Sequence, residues 1–474
     1  MSALENKIID INKKTYVLIL MMLASLIVFS IIVTFIIPKG TFESYVNEYG
    51  EVVFDYTKYI KLPEQSGINI LKGIFSPILV LFSNDGISLF FLSLFILVIA
   101  GTFQLMSDTK GINSIVYFFV EKFKNKKNML VAGITLIFML FGAFLGLFEE
   151  MLSLLPLIVM LTISLGYDGY TGFLICIVAC GFGFASAITN PFTVIAASSV
   201  VGVNPMYNIW FRILIFLIMY GLLMAFVFDH IKKISKNPLH SPTYEIDNKK
   251  REQLIYSDNA YDKRALRSYS ILLSIVLSAI IVFTSIKATR QYSVVILTVI
   301  FLFGGLIAGY VVSKDFKLVL KLFLKGVISA LPTILLILMA SSIKYILEEG
   351  NVLATIANSI SLFVKDKNPF VMALLIYGII TFIEFFVSSS TAKAVFVMGI
   401  LSIININLSK ELLVLLYLFG DGYSNIFFPT SPVLLISLSL IGLNYTKWIK
   451  SGKWLIILNI ITVILLILLA VLIY

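Results

Sequence analysis

The sequence predicts an all-α polytopic membrane protein built from two inverted repeats, each with a re-entrant hairpin and a broken transmembrane helix. Three observations carry that prediction. The 474 residues are 59% hydrophobic and only 13% charged, with a mean hydropathy of +1.01, a composition that calls for lipid as solvent. Apolar runs of about 20 residues, long enough to cross a hydrocarbon core of roughly 30 Å, recur from Thr15–Ile37 to Trp454–Tyr474. Short motifs of the first half return in the second at a nearly constant offset.

The first run, 15–37, is longer than the apolar core of a signal peptide, about 7–15 residues. It is followed by Pro38-Lys39-Gly40 without a small-residue cleavage pattern, so an uncleaved span is expected. Lys7, Lys13 and Lys14 before it, Lys122, Lys124, Lys126 and Lys127 after the second span, and the Lys232–Arg267 stretch with Lys249-Lys250-Arg251 belong in the cytoplasm by the positive-inside rule. The net charge of +10 sits in these short flanking loops, which reads as topology and not as a nucleic-acid surface. The chain is therefore expected in the inner (cytoplasmic) membrane of a bacterium, multi-pass, with its N-terminus in the cytoplasm. Its expected partners are a small organic solute and the lipid bilayer, with no nucleic acid and a homodimer left open. Cys176 and Cys180 lie in an apolar helix, and His230 and His240 stand at its margin, so no metal motif, haem motif or disulfide framework is encoded.

The expected organisation is an N-terminal half, 1–230, holding the first repeat at about 86–230, a basic cytoplasmic linker at 231–267, and a C-terminal half, 268–474, holding the second repeat at about 327–474. The apolar stretches 129–165 and 369–405 are too long for one straight span and polar near the middle, as re-entrant hairpins are. With both returning to the side they entered, spans at 15–37, 86–106, 169–202 and 206–229, then 269–286, 292–312, 327–347, 409–442 and 454–474, bring the linker inside. Lys127-Asn128 is answered by Lys367-Asn368, Gly181-Phe-Gly-Phe184 by Gly420-Asp-Gly-Tyr423, and Gly202-Val-Asn204 by Gly442-Leu-Asn444. An odd number of spans between equivalent points turns the two units opposite ways, the plan of many secondary transporters.

Ionisable groups inside spans cost about 2.5–3.5 kcal/mol each on insertion scales and need a reason. Glu149 and Glu150 fall at the turn of the first hairpin, Glu384 precedes the run Ser388-Ser389-Ser390-Thr391 in the second, and Asp421 opens the second broken span. Lys393 is the obvious salt-bridge partner for Glu384 if that carboxylate is structural. Pro191 and Pro429 interrupt apolar spans among Ser186, Thr189, Asn190 and Thr193 in the first half and Ser424, Asn425, Thr430 and Ser431 in the second. Freed carbonyls and these side chains offer hard oxygen ligands, so Na⁺ is expected at Ser186, Thr189 and Asn190 and at Ser389, Ser424 and Asn425, unless the coupling ion is H⁺. The plainer alternative is a proline kink with serines bonding back to the helix. No other cofactor is expected.

At these residues the sequence resembles the YfcC/DcuC group of the ion transporter superfamily over essentially the whole chain. The resemblance lies in Gly146-Leu-Phe-Glu-Glu150 with Leu165-Gly-Tyr-Asp168, in Gly183-Phe-Ala-Ser-Ala-Ile-Thr-Asn-Pro-Phe192, and in Phe419-Gly-Asp-Gly-Tyr-Ser-Asn425 with Pro429-Thr-Ser431 and Lys447-Trp448. It implies two hairpins meeting two broken helices around a central site, alternating access, and either basic amino acid (arginine/ornithine-like) or C4-dicarboxylate substrates. The acidic tip attracts an amine and repels a dicarboxylate, which favours an amino acid, unless the pair only carries the coupling proton. An ion-coupled secondary transporter or antiporter, not an enzyme, is the expected function. An ion channel is an alternative, since oxygen-lined broken helices also suit conduction. An intramembrane aspartyl protease is disfavoured, because Leu418 stands where its motif needs a glycine before Gly420-Asp421.

Overall fold

A computed structural model describes residues 13–46, 52–63, 67–83, 86–123, 125–255, 261–286, 289, 292–364, 367–387, 390–399, 401 and 408–474. Its helices include seven that are long and apolar enough to cross a membrane: Leu89–Asp108, Lys127–Leu145, Ile209–Lys236, Lys263–Phe283, Ser293–Ser313, Phe316–Glu349 and Tyr445–Ile473. Large apolar side chains such as Phe303, Ile307, Trp454, Leu465 and Leu472 are exposed. Apolar side chains so placed are stable where hydrocarbon replaces water, and helices suit that solvent because they pair their backbone groups internally. The expected all-α polytopic class is what the chain adopts.

One β element is added. Gly40–Val46 and Val52–Lys61 pair antiparallel, with Gly40 opposite Lys61 and Val46 opposite Val52. The alternation of Phe42, Ser44 and Val46 with their neighbours suits a pleated strand better than a helix. The Gly40 amide donates to the Asn351 carbonyl at 3.0 Å, and the Tyr59 and Thr355 hydroxyls meet at 2.8 Å. These bonds fasten the hairpin to the turn after the long helix Phe316–Glu349 and to the following helix, Leu353–Val364.

The helices at the centre approach closely through small residues. Gly326 lies against the Ala100 carbonyl and Gly305 against Thr102, and the Thr102 hydroxyl donates to the Phe301 carbonyl at 3.0 Å. Small faces and hydroxyl bonds of this kind replace the hydrophobic drive that lipid cancels. The expected span 327–347 is the later part of the Phe316–Glu349 helix, which starts earlier because Asp315 caps the Lys317 and Leu318 amides.

The 231–267 stretch, expected as a linker, is largely helical and docked. The preceding helix runs to Lys236, Tyr244–Ile255 forms a helix of its own, and the next helix begins at Lys263. Asp247 accepts from the Gly169 amide at 2.9 Å, the Thr243 hydroxyl accepts from the Tyr170 amide at 3.3 Å, and Arg251 donates to the Tyr167 carbonyl.

Two hairpins and two interrupted helices build the functional region. The first hairpin ascends through Lys127–Leu140 and a π-helical turn at Phe141–Leu145, and returns through Leu155–Ser164. Its ends meet: Lys127 Nζ donates to the Leu165 carbonyl at 2.7 Å and the Tyr167 hydroxyl to Asn128 at 3.1 Å. The second ascends through Pro369–Glu384 and turns into Ser390–Lys393 and a further π-helical turn, Ala394–Met398. Part of its return arm, 402–407, lies outside the described residues. The interrupted helices run from Gly169 to Ala185 and Pro191 to Val201, and from Lys410 to Gly422 and Pro432 to Ile441. Both end alike: Gly202 and Gly442 have φ of 72° and 68°, and the following amides, of Val203 and Leu443, donate to Ser198 at 3.0 Å and Leu438 at 2.9 Å. A side chain would be strained at either glycine.

Candidate functional site

The first interruption begins where Ser186 closes its helix and ends where Asn190-Pro191 starts the next. Pro191 has no amide hydrogen to lose there, and Asn190 caps by accepting from the Phe192 amide at 2.9 Å. The backbone freed between them turns to the first hairpin. The Ala143 carbonyl accepts from the Ile188, Thr189 and Asn190 amides at 2.9, 3.1 and 3.1 Å. Asn190 Nδ2 adds a bond to the Gly142 carbonyl at 3.2 Å, and the Thr189 hydroxyl one to the Phe144 carbonyl at 3.2 Å. The π-helical turn at Phe141–Leu145 departs from the regular ladder and turns the Ala143 carbonyl to those amides, while the Gly142 carbonyl also accepts from the Gly146 amide at 3.2 Å. Ser186 donates back to the Phe182 carbonyl at 2.6 Å, while the Thr193 hydroxyl is buried without a hydrogen-bond partner.

The second interruption is built differently. Tyr423–Ile426 form a tight turn in which the Ser424 hydroxyl donates to the Gly420 carbonyl at 2.7 Å and Asn425 Nδ2 to the Asp421 carbonyl at 2.8 Å. Ser431 then caps the helix that Pro432 opens. The polar groups of this break are held by their own helix, where those of the first are held by its hairpin.

Asp421, completely buried, carries the charge of this region. Its Oδ1 lies 2.6 Å from Lys393 Nζ and 3.3 Å from the Tyr417 hydroxyl, and its Oδ2 accepts from the Ser390 hydroxyl at 2.9 Å. Lys393 is also ion-paired with Glu384 and donates to the Val387 carbonyl at 3.2 Å. Glu384 is thus taken up by Lys393, the pairing legible in the sequence, and Lys393 also joins the hairpin to Asp421. Ser388 and Ser389 lie outside the described residues, as does the side chain of Thr391.

A cavity of about 610 Å³ lies between the hairpin tips. The first tip contributes Glu149 and Glu150, the second Phe385 and Ser390, and the second break Asn425, Thr430 and Ser431. Glu149 is exposed, whereas Glu150 is 6% exposed and accepts from the Ser293 hydroxyl at 3.1 Å. Of the first break only the neighbouring Phe192 reaches the wall, so Ser186, Asn190 and Thr193 stand behind it. The opposite wall is the long helix, with Ser341, Lys344, Tyr345 and Glu348; Lys344 Nζ is 3.4 Å from Glu348. Those residues were not singled out from sequence. Lys344 within an apolar span was the available signal, by the same reasoning that picked out the glutamates.

Asp168, which precedes the first interrupted helix, lies apart from Asp421 and has other partners. It caps the Gly169–Phe173 helix through the Thr171 amide at 2.8 Å and meets His230 Nε2 at 2.9 Å. Burial alone would raise its carboxyl, but the His230 and Thr171 bonds outweigh it and hold the group below the usual carboxylate range. Asp168 and Asp421 form no dyad.

A family model described as "C4-dicarboxylate anaerobic carrier" (DcuC) matches residues 17–472. The chain is 26% identical over 381 residues to the Escherichia coli K12 protein described as "Putative basic amino acid antiporter YfcC", covering 76% of this chain and 73% of that protein. It is 25% identical over 366 residues to an uncharacterized protein of Haemophilus influenzae Rd, covering 75% of this chain and 70% of the relative. Among solved structures it is similar to the YdaH transporter of Alcanivorax borkumensis, at 14% identity and a TM-score of 0.42 over 93% of this chain and 97% of that one. MtrF of Neisseria gonorrhoeae gives 12% identity and a TM-score of 0.44 over 95% and 94%.

Proposed function

The chain belongs to the C4-dicarboxylate anaerobic carrier (DcuC) family, and from that premise we propose that it is an ion-coupled secondary transporter or antiporter of a basic, arginine- or ornithine-like amino acid. Membrane transport is the family's business, and the chain is not an enzyme. The observation that carries the substrate class is the charge of the central cavity: Glu149, Glu150 and Glu348 line it against Lys344 alone among its described lysines and arginines. A dicarboxylate would add two negative charges to that wall. A basic amino acid brings two positive groups for the first tip and one carboxylate for Lys344 and the start of the Pro432–Ile441 helix. The description of the Escherichia coli relative points the same way.

Alternating access between inverted repeats fits this reading. Support comes from the matching turns at Gly202 and Gly442 and from each interrupted helix packing a glycine on its own hairpin, Gly183 on Met139 and Gly420 on Ile380. With the basic loops inside, the N-terminus is cytoplasmic and the cavity, bordered by Ser83, Tyr292 and Glu348, opens to the outside.

The second reading is a C4-dicarboxylate carrier, favoured by the family's description and by Lys344. Counterflow in proteoliposomes separates the two. Vesicles preloaded with arginine or ornithine should take up labelled arginine, and vesicles preloaded with succinate or fumarate should not take up labelled succinate. Succinate exchange without arginine exchange would overturn the amino acid assignment.

A further inference from the structure

The second half of the site carries a cation of its own. Lys393 is 0% exposed, and its ammonium is surrounded by oxygen: the Glu384 carboxylate, Asp421 Oδ1 at 2.6 Å and the Val387 carbonyl at 3.2 Å. Two carboxylates and a carbonyl from a helix interruption form the donor set that a bare monovalent cation takes in a membrane-embedded site. The Ser390 and Tyr417 hydroxyls both face Asp421, and the Ser424 and Asn425 side chains donate to the carbonyls of Gly420 and Asp421.

The first half has no counterpart. In the register that pairs Gly181-Phe182 with Gly420-Asp421, a phenylalanine stands where the second half has its buried carboxylate. Bringing Glu384 and Asp421 together in an apolar interior is costly unless a positive charge stays between them. The lysine, attached to the return arm of the hairpin, supplies it.

We propose that the Lys393 ammonium is a tethered cation that takes the place of a dissolved coupling ion in the second half, so that the site formed by Glu384, Asp421 and the Val387 carbonyl binds no Na⁺. The proposal gives meaning to the transporter reading and rests on it for that meaning alone, because its test involves no transport.

The test is thermal stability of the purified protein in NaCl against choline chloride. The wild type should melt at the same temperature in both. Lys393→Ala leaves two buried carboxylates without a counter-charge, so Na⁺ should raise its melting temperature in a saturable way. The neutral triple variant Lys393→Ala/Glu384→Gln/Asp421→Asn should be insensitive to Na⁺ and should melt above Lys393→Ala in choline. It also serves where Lys393→Ala cannot be recovered without Na⁺, an outcome that itself supports the proposal. No Na⁺ response in Lys393→Ala, an equal response in wild type and variant, or a triple variant no more stable than Lys393→Ala in choline would overturn it. Failure of every candidate solute in counterflow would instead reject the function and leave this result standing.

Discussion

Ala185 of the first interrupted helix occupies the space where a Cβ on Gly422 of the second would stand. The two helices therefore cross in backbone contact immediately before both are interrupted. Gly422→Ala should cost about 1–3 kcal/mol by overpacking. Gly133→Ala, where nothing lies within 4 Å of the added carbon, should be neutral or gain up to about 1 kcal/mol in helix propensity. Melting curves of the two variants in detergent check the contrast, and equal behaviour would mean that the crossing has room for a methyl group.

Asn190→Ala removes the cap on Phe192 and the donor to the Gly142 carbonyl. Losing the cap and the Asn190 Nδ2 bond should cost about 1–3 kcal/mol. Asn190→Ser keeps a cap acceptor and loses the amide donor, so it should fall between wild type and alanine. Ranking all three by melting temperature tests whether both bonds matter.

Asp421→Asn weakens charge-assisted bonds from Lys393 and Ser390 and should lower stability by about 1.5–3 kcal/mol. Expression should persist, because Glu384 and Lys393 remain as a neutral pair. Transport should fall. Uptake unchanged across the pH and Na⁺ range would assign Asp421 to packing alone.

Glu149→Gln should weaken binding of a basic amino acid far more than that of a neutral analogue, by roughly tenfold for each 1.4 kcal/mol that the charge-assisted hydrogen bond supplies. If the pair carries the coupling proton instead, both solutes lose uphill accumulation alike while exchange survives with a flatter pH dependence. Counterflow and pH-driven uptake, measured for Glu149→Gln and Glu150→Gln, distinguish the roles.

The Asp168–His230 pair predicts an acid-sensitive joint. Asp168 has its folded value below its unfolded value of about 4. Its contribution is therefore present throughout the neutral range and lost as pH falls through the folded value. Asp168→Asn should be less stable than wild type at pH 7, and the gap should close below about pH 4. A gap that stays constant down to pH 3 would refute the linkage.

Much of the architecture was legible because lipid imposes simple rules: apolar runs mark spans, and Pro191 marks the point where the first helix restarts, whereas the second restarts at Pro432, three residues beyond the Pro429 singled out from sequence. Glu384 and Lys393 were legible as a pair for the same reason, since neither charge is tolerable alone in a span. The rest depended on long-range packing. Nothing local to Ser293 or Tyr345 says that it faces a hairpin tip from another part of the chain. The first break was expected to offer its side chains to the site. Instead its amides and the Asn190 side chain turn to Ala143 and Gly142, a choice set by a π-helical turn that composition does not announce. The β pairing of Gly40–Val46 with Val52–Lys61 was not anticipated from sequence.

The three amides gathered on the Ala143 carbonyl also have a mechanical consequence. They weld the first hairpin tip to the first break, and the Tyr244–Ile255 helix bolts the far end of that assembly through Gly169 and Tyr170. A component fastened at both ends travels as a unit. In the alternating-access transporter proposed above, the sliding joint falls along the cavity between the hairpin tips and the long helix, with Glu149 and Lys344 on opposite sides of it.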